Sequence, residues 1–334
     1  MGEQLEKVEE GQRKHEYRVE DYFCNDKLLD DVDFIFPGAR RAADSGDKEL
    51  QQLSNVFAEN ILAAFFTATT LHVFARRTAY NTGYMAMFGI SLTADMAAAG
   101  NSEDRIKKTQ ESLKKTINET EWGKKLEAVA EGTAREYLAA FINDNAGRQA
   151  VSQIMNQSAV LIWSSLEILA SDIFVYVLNR KPSFAGKLLN GENTKKYYRE
   201  KELASSLADY NYDLSRHMGE ALIQQRRLDD LIAIKNVYGA LLDKADALRA
   251  ALNENQLWRL YKTRNLVVHR AGVVDALFQK ETGDATPIGT KLRVTPSMLK
   301  DSMIVAGRTG CELIEATAKA FPKPLSLSSS TGDV

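Results

Sequence analysis

The chain has 334 residues, a formal net charge of -2, and 44% hydrophobic and 26% charged residues. That length can bury a substantial core and fits two domains or one elaborated domain, and the composition is that of a soluble globular protein. The near-neutral balance excludes a surface that is basic throughout, so any contact with nucleic acid has to rest on a local patch.

Six prolines against many Ala, Leu, Glu and Lys predict an all-α fold, a multi-helix bundle. The charged start Met-Gly-Glu-Gln-Leu-Glu-Lys lacks the apolar core of a signal peptide, which makes the cytoplasm the expected compartment. Residues 1–47 are polar and acid-rich, with a short alternating segment Val32-Asp33-Phe34-Ile35-Phe36 closed by Pro37-Gly38, and read as partly ordered. Asp31-Val32-Asp33 has the form of a nucleotidyltransferase metal pair, but Val19-Glu20 stands upstream where such a site needs a Gly-Ser turn. Next come two apolar stretches, Ile61 to Ala75 and Tyr84 to Ala99, divided by Arg76-Arg77. Each falls short of the ~20 apolar residues that a bilayer span needs, so both are expected as buried core helices with no membrane contact.

Ser102-Glu103-Asp104 reads as a helix start, opening a polar helix to about Ile117. Another runs from Glu121 to Phe141, and Asn143, Asn145 and Gly147 predict a break. A domain boundary is therefore expected near Gly147. This gives a helical N-terminal region over 1–147, acidic at its start, a second helical domain over 148–325, and a disordered serine-rich tail over 326–334. Ala159 to Leu178 is apolar nearly all round, as expected of a central helix packed on several sides. Pro182, Gly186 and Gly191 mark a loop, followed by predicted helices over Thr194 to Arg216, Glu220 to Ala251 and Asn255 to Arg270. Thr295-Pro296 is a cap-plus-first-turn pair opening a last helix that Phe321-Pro322 stops.

The stretch richest in chemistry is Arg264-Asn265-Leu266-Val267-Val268-His269-Arg270, just before Gly272, in a chain with four histidines. An arginine is always charged and its fork matches phosphate oxygens. An unperturbed histidine titrates near pH ~6.5 and exchanges protons in neutral water. Asn265 and His269 are four apart and share a helix face, whereas Arg264 and His269 lie about 140° apart on an ideal wheel. They converge only through the long arginine side chain, a distorted last turn, or a second subunit. Gly272 suits a left-handed C-cap, which places His269 in the final turn.

Arg-Asn-x-x-x-His resembles the Arg-x4-6-His signature of the HEPN-domain ribonucleases, all-helical proteins common in bacterial toxin–antitoxin and antiphage systems. Ser165-Leu166-Glu167-Ile168-Leu169-Ala170-Ser171-Asp172 looks like the first long helix of the RiboL-PSP-like branch, and Arg227-Leu228-Asp229-Asp230-Leu231-Ile232-Ala233-Ile234-Lys235 looks like its middle segment. Arg270-Ala271-Gly272-Val273-Val274-Asp275 and Ile288-Gly289-Thr290-Lys291-Leu292-Arg293-Val294-Thr295 are similar to its later part. The resemblance covers roughly residues 150–322 and does not reach the N-terminal half. It implies a HEPN-like C-terminal domain that acts as a homodimer and degrades cellular or phage RNA, with an antitoxin or defence-system protein as a partner.

Other residues are weighed against structural roles. Glu167 and Asp172 are carboxylates on an otherwise apolar helix, and a buried charge needs a partner. Arg264 is the natural candidate, either to position a catalytic arginine or as a plain structural ion pair. Lys195, Lys196, Arg199 and Lys201, interleaved with Tyr197 and Tyr198, offer phosphate contacts and base stacking or else a solvated helix face. Tyr261 and Arg270 are further candidates for contacting RNA. His15, His72 and His217 stand apart from any carboxylate or cysteine set with metal spacing, and Cys24 and Cys311 build neither a disulfide framework nor a zinc quartet. No metal and no cofactor is expected.

The leading expectation is an endoribonuclease working without metal. The 2′-hydroxyl of RNA attacks its own 3′-phosphate, His269 removes the proton, Arg264 stabilises charge at phosphorus, and Asn265 orients phosphate or imidazole. The products are a 2′,3′-cyclic phosphate and a 5′-hydroxyl. One histidine cannot be base and acid in a single step, so a two-fold homodimer is expected to bring two motif helices together. The competing expectation is a non-catalytic module that dimerises and binds RNA or regulates. A third, a membrane-associated effector using residues 61–99, is disfavoured by length.

Overall fold

A computed structural model describes residues 17–25, 27, 28, 30, 35, 38, 47–95, 102–119, 121–242 and 244–321. Among them the chain is all-α, with twelve α-helices and no strand. In chain order these are α1 (Lys48–Asp95), α2 (Ser102–Glu119), α3 (Glu121–Asn143), α4 (Asn145–Arg180), α5 (Ala185–Asn190), α6 (Glu200–Ser206), α7 (Met218–Gln225), α8 (Leu231–Leu241), α9 (Asp246–Leu252), α10 (Asn255–Arg270), α11 (Ala276–Thr282) and α12 (Pro296–Ala320). Short 3-10 turns lie at Val19–Asp21, Pro182–Phe184 and Leu207–Tyr210. The alternating segment 32–36, apart from Ile35, the Asp31/Asp33 pair, His15 and the serine-rich tail lie outside the described residues.

The described residues divide into two compact units, one drawn from Met1–Lys27 and Thr67–Met155, the other from Leu28–Phe66 and Asn156–Val334. Two sequence expectations change accordingly. Lys48–Asp95 is one helix of 48 residues running through Arg76-Arg77, because arginine is a good helix former and no proline intervenes, and residues 96–99 lie outside the described residues. By length and composition both Lys48–Ser91 and α4 would pass as membrane spans, with 39% and 56% of their most apolar windows buried inside the protein. Length therefore does not exclude a membrane span for either helix. The break near Gly147 shrinks to Asp144 alone, whose Oδ2 accepts from the Gly147 N–H at 3.2 Å as α4 begins. Gly147 sits in the first turn of a helix that continues to Arg180.

In the first unit, α3 buries a stripe of Leu126, Ala130, Ala134, Leu138 and Ile142 at four-residue spacing, the pattern of one helical face. Leu113, Ile117 and Leu126 form a small core against which Tyr80, Tyr84, Met87 and Phe88 pack. In the second unit α4 is the central helix that its apolar circumference predicts. Ile162, Trp163, Leu166, Ala170, Ile173, Phe174, Val177 and Leu178 are all essentially inaccessible. Leu231, Ile234, Val237 and Tyr238 of α8, Leu257 and Leu260 of α10, and Leu299, Met303 and Ile314 of α12 are buried in the same unit. Two close approaches depend on glycine. A Cβ on Gly219 would meet the Val175 backbone at 2.5 Å, and one on Gly310 would meet the Phe57 ring at 2.2 Å.

The helix predicted over Thr194 to Arg216 is instead a run of turns, then α6 and a 3-10 turn, with Asn211 and Tyr212 left-handed. Tertiary contact overrides local propensity here. Tyr198 is buried with its ring stacked 5.9 Å from Phe174, and Thr194 Oγ1 donates to the Leu188 carbonyl at 2.7 Å. Glu220 to Ala251 likewise divides into α7, α8 and α9. Asp230 caps α8 by accepting from the Ala233 N–H at 2.7 Å, and an aspartate at that position starts a new helix more readily than it continues an old one. The helices expected over Asn255 to Arg270 and from Thr295-Pro296 onward have the predicted bounds, with Thr295 Oγ1 accepting from Met298 N–H at 3.3 Å.

Candidate functional site

The site is built where α4 and α10 lie side by side. Leu257, Leu260, Thr263 and Leu266 are the buried positions of α10, spaced as a stripe on one face. Two side-chain contacts then fix the alignment. The Trp163 and Tyr261 rings are 5.0 Å apart, and one turn further along both helices Arg264 Nη2 lies 3.3 Å from Glu167 Oε2. The ion pair expected between Glu167 and Arg264 is thus present. Its side chains are only 25% and 18% exposed, too sheltered for the screening that makes surface pairs weak.

Glu167 Oε2 also accepts from the Trp163 indole N–H at 3.0 Å. Burial pushes the Glu167 carboxyl above the ordinary carboxylate range, Arg264 and the Trp163 N–H pull it down, and the charge of Asp229 adds to the upward push. Asp229 is itself 3.5 Å from Arg226. Arg264 is held on two sides, since its Nη1 donates to Asn265 Oδ1 at 3.0 Å, while its Nε–H is buried with no partner among the described residues. With Oδ1 engaged, the Asn265 amide group still has its two N–H donors to offer a phosphate.

α10 ends in a left-handed turn. Ala271 (φ 51°) begins it, one residue before the glycine expected there, and Gly272 (φ 81°) continues it. The Gly272 N–H closes on the carbonyl of Leu266, six positions back, at 3.0 Å, one residue wider than the 6→1 bond of a Schellman turn. The Gly272 carbonyl accepts from Leu292 N–H at 2.8 Å, and Val274 N–H donates to Thr290 O at 2.9 Å. The two later segments noted in the sequence are therefore bonded to each other and to the motif helix. His269, in the last turn, is exposed and makes no hydrogen bond or ion pair among the described residues.

The other candidates separate. Asp172 does not reach Arg264. It has no hydrogen bond or ion pair among the described residues, and burial alone raises its carboxyl above the ordinary range. Arg270 is 3.3 Å from Asp275, which caps α11. Tyr261 is half-buried between Trp163 and Trp258. Lys195 and Lys196 are exposed on a turn rather than a helix, and of their neighbouring tyrosines Tyr198 is buried and closed to a base. Arg259, Lys262, Arg264 and Arg270 of α10 each face a carboxylate, at 2.7, 2.7, 3.3 and 3.3 Å. Sequence reasoning missed Trp163 and Arg226. The four-residue spacing of Trp163 and Glu167 is a signal that one helix face can carry donor and acceptor together.

The Asp172 geometry yields a pH prediction. A carboxyl whose folded pKa lies above its unfolded value leaves the folded chain holding more protons between the two values. Stability therefore falls as pH rises through that window and stays lower above it. Asp172→Asn should raise the thermal midpoint at pH 7 by about 1–3 °C. The gain should vanish below about pH 4, where unfolded aspartate is also protonated. Melts at the two pH values check this, and a lower midpoint for Asp172→Asn at pH 7 would mean that the carboxylate has a stabilising partner.

Comparison with protein-family models, with curated proteins and with solved structures returns no match to this chain.

Proposed function

We propose that the chain is an endoribonuclease that cleaves RNA by internal 2′-hydroxyl attack, using Arg264, Asn265 and His269 and no metal. The observation that carries this reading is the setting of Arg264. Its guanidinium is clamped between Glu167 and Asn265 in a sheltered position, five residues before an exposed imidazole on the same helix that makes no bond among the described residues. A cation whose rotamers are already fixed stabilises a pentacoordinate phosphorane without reorganising during the reaction. A solvent-facing histidine is free to take the 2′-hydroxyl proton. The resemblance of residues 150–322 to HEPN ribonucleases supports the same assignment and extends it to a toxin or antiphage effector in the cytoplasm, working with an antitoxin or defence partner.

The test is a cleavage assay on a hairpin RNA with a single-stranded loop, in EDTA. The expected products carry a 2′,3′-cyclic phosphate and a 5′-hydroxyl, and the all-DNA counterpart stays intact because it lacks the nucleophile. Equal cutting of DNA, or 3′-hydroxyl products, would overturn the mechanism. One observation favours a second reading. Each of the four cations of α10 named above faces a carboxylate, which leaves that helix little free charge for phosphate and suits a non-catalytic dimerisation module. That reading predicts no cleavage over hours.

A further inference from the structure

The first unit, which the nuclease reading leaves without a task, contains a groove of about 920 Å³. One wall is a single face of α1, presenting His72, Arg76, Arg77, Tyr80 and Asn81, and the opposite wall is a face of α3 that includes Lys124, Glu131 and Arg135. Val19 and Glu20 of the first 3-10 turn, with Phe23, Asn25 and Lys27 after it, complete the lining. The volume falls within the ~300–1,000 Å³ range typical of small-molecule sites.

Its charge is unevenly satisfied. Arg135 pairs with Glu20, and His72 Nε2 is 3.4 Å from Glu131 Oε1. Those pairs occupy two of the lining carboxylates and leave Glu127 as the third. Arg77 and Lys124, facing the groove from opposite walls, make no ion pair among the described residues. His72 is 7% exposed, and its Nδ1 is fully buried with no hydrogen-bond partner. Two cations of the lining, on different helices and with no ion pair among the described residues, supply the field for an anion, in a chain whose overall charge gives no such bias.

We propose that this groove is a binding site for a small phosphorylated ligand of the nucleoside polyphosphate class. Arg77 and Lys124 hold the phosphates from the two walls, as a guanidinium fork and a point charge respectively. The Tyr80 ring and the apolar lining of Val73 and Leu138 receive the flat base. This site stands independently of the nuclease assignment.

Isothermal titration of the full chain with ATP and with inorganic pyrophosphate tests it. Both probes are expected to bind saturably with Kd below about 100 µM, pyrophosphate more weakly and both more weakly at higher salt. Arg77→Ala combined with Lys124→Ala should weaken binding at least tenfold. Both side chains are exposed, so the melting curve should not move. The His72 ring resonances should shift on adding pyrophosphate to the wild-type chain. Absence of binding by both probes, or equal binding by the double variant, overturns the assignment. So does a result in which the double variant weakens binding of a single-stranded RNA oligonucleotide while neither small probe binds.

Discussion

His269→Ala should lower RNA cleavage in EDTA by at least ~100-fold, the size of a lost general acid–base catalyst, with an unchanged melting curve. The second half of that expectation comes from the fold. The imidazole is exposed and bonded to nothing among the described residues, so removing it leaves no cavity and no orphaned partner. A variant that loses activity and keeps its stability isolates chemistry from structure, which a buried histidine would not allow. Arg264→Lys should be impaired to a comparable degree. A lysine ammonium can replace the charge but not the two-sided hold on Glu167 and Asn265, and it lacks the planar fork that matches phosphate. Wild-type rates for His269→Ala would remove the histidine from the mechanism and with it the proposed reaction.

Glu167→Gln is informative beside these two. It keeps the shape and an acceptor for the Trp163 N–H but withdraws the charge facing Arg264. If the carboxylate positions the guanidinium, kcat should fall while the affinity for a DNA analogue of the substrate changes little. If the pair is structural only, the thermal midpoint moves and the rate does not.

The parts of this architecture that could be read in the sequence are those decided locally. Asn255 to Arg270 and the Thr295-Pro296 start came out with their observed bounds because caps, glycine and proline act within a turn or two of themselves. α4 declared itself by being apolar all round. Arg264 and Glu167 could be matched because a carboxylate on a buried helix demands a cation. What could not be read was decided by distant contacts. Tyr198 looked like a stacking platform among lysines, yet Phe174 claims its ring. The Arg76-Arg77 pair looked like a helix boundary, yet α1 runs through it and turns that face toward a groove formed with α3. Asp230 caps the helix that starts at Leu231, a local signal that the expected single helix over Glu220 to Ala251 does not accommodate. Asp172 shows the limit of the charge argument, since a half-buried carboxylate on the right helix stands without the cation it was assigned.

Assembly decides whether one histidine is enough. A single imidazole cannot accept the 2′-hydroxyl proton and protonate the 5′-oxygen in the same step, and among the described residues His72 and His217 belong to other surroundings, facing Glu131 and Glu220 respectively. Most of the apolar surface of Ala159 to Leu178 is used within the chain, and its large apolar side chains that remain outward are Leu161 and Ile168, at 38% and 43% exposure, with Val268 on the motif helix at 50%. Ile168 follows Glu167 and Val268 precedes His269, so these two exposed side chains flank the candidate site from adjoining helices. A two-fold axis through that patch would bury them and bring two copies of Arg264 to His269 into one cleft. Ile168→Glu together with Val268→Glu should therefore yield a monomer by light scattering and cost at least ~100-fold in cleavage, as loss of the acid–base partner would. Mixing wild type with equal His269→Ala under subunit exchange leaves about one quarter of randomly paired dimers wild type, so activity should fall toward a quarter rather than a half. A folded monomer that cleaves at the wild-type rate would place the second proton-transfer group within the same chain and dissolve the composite site.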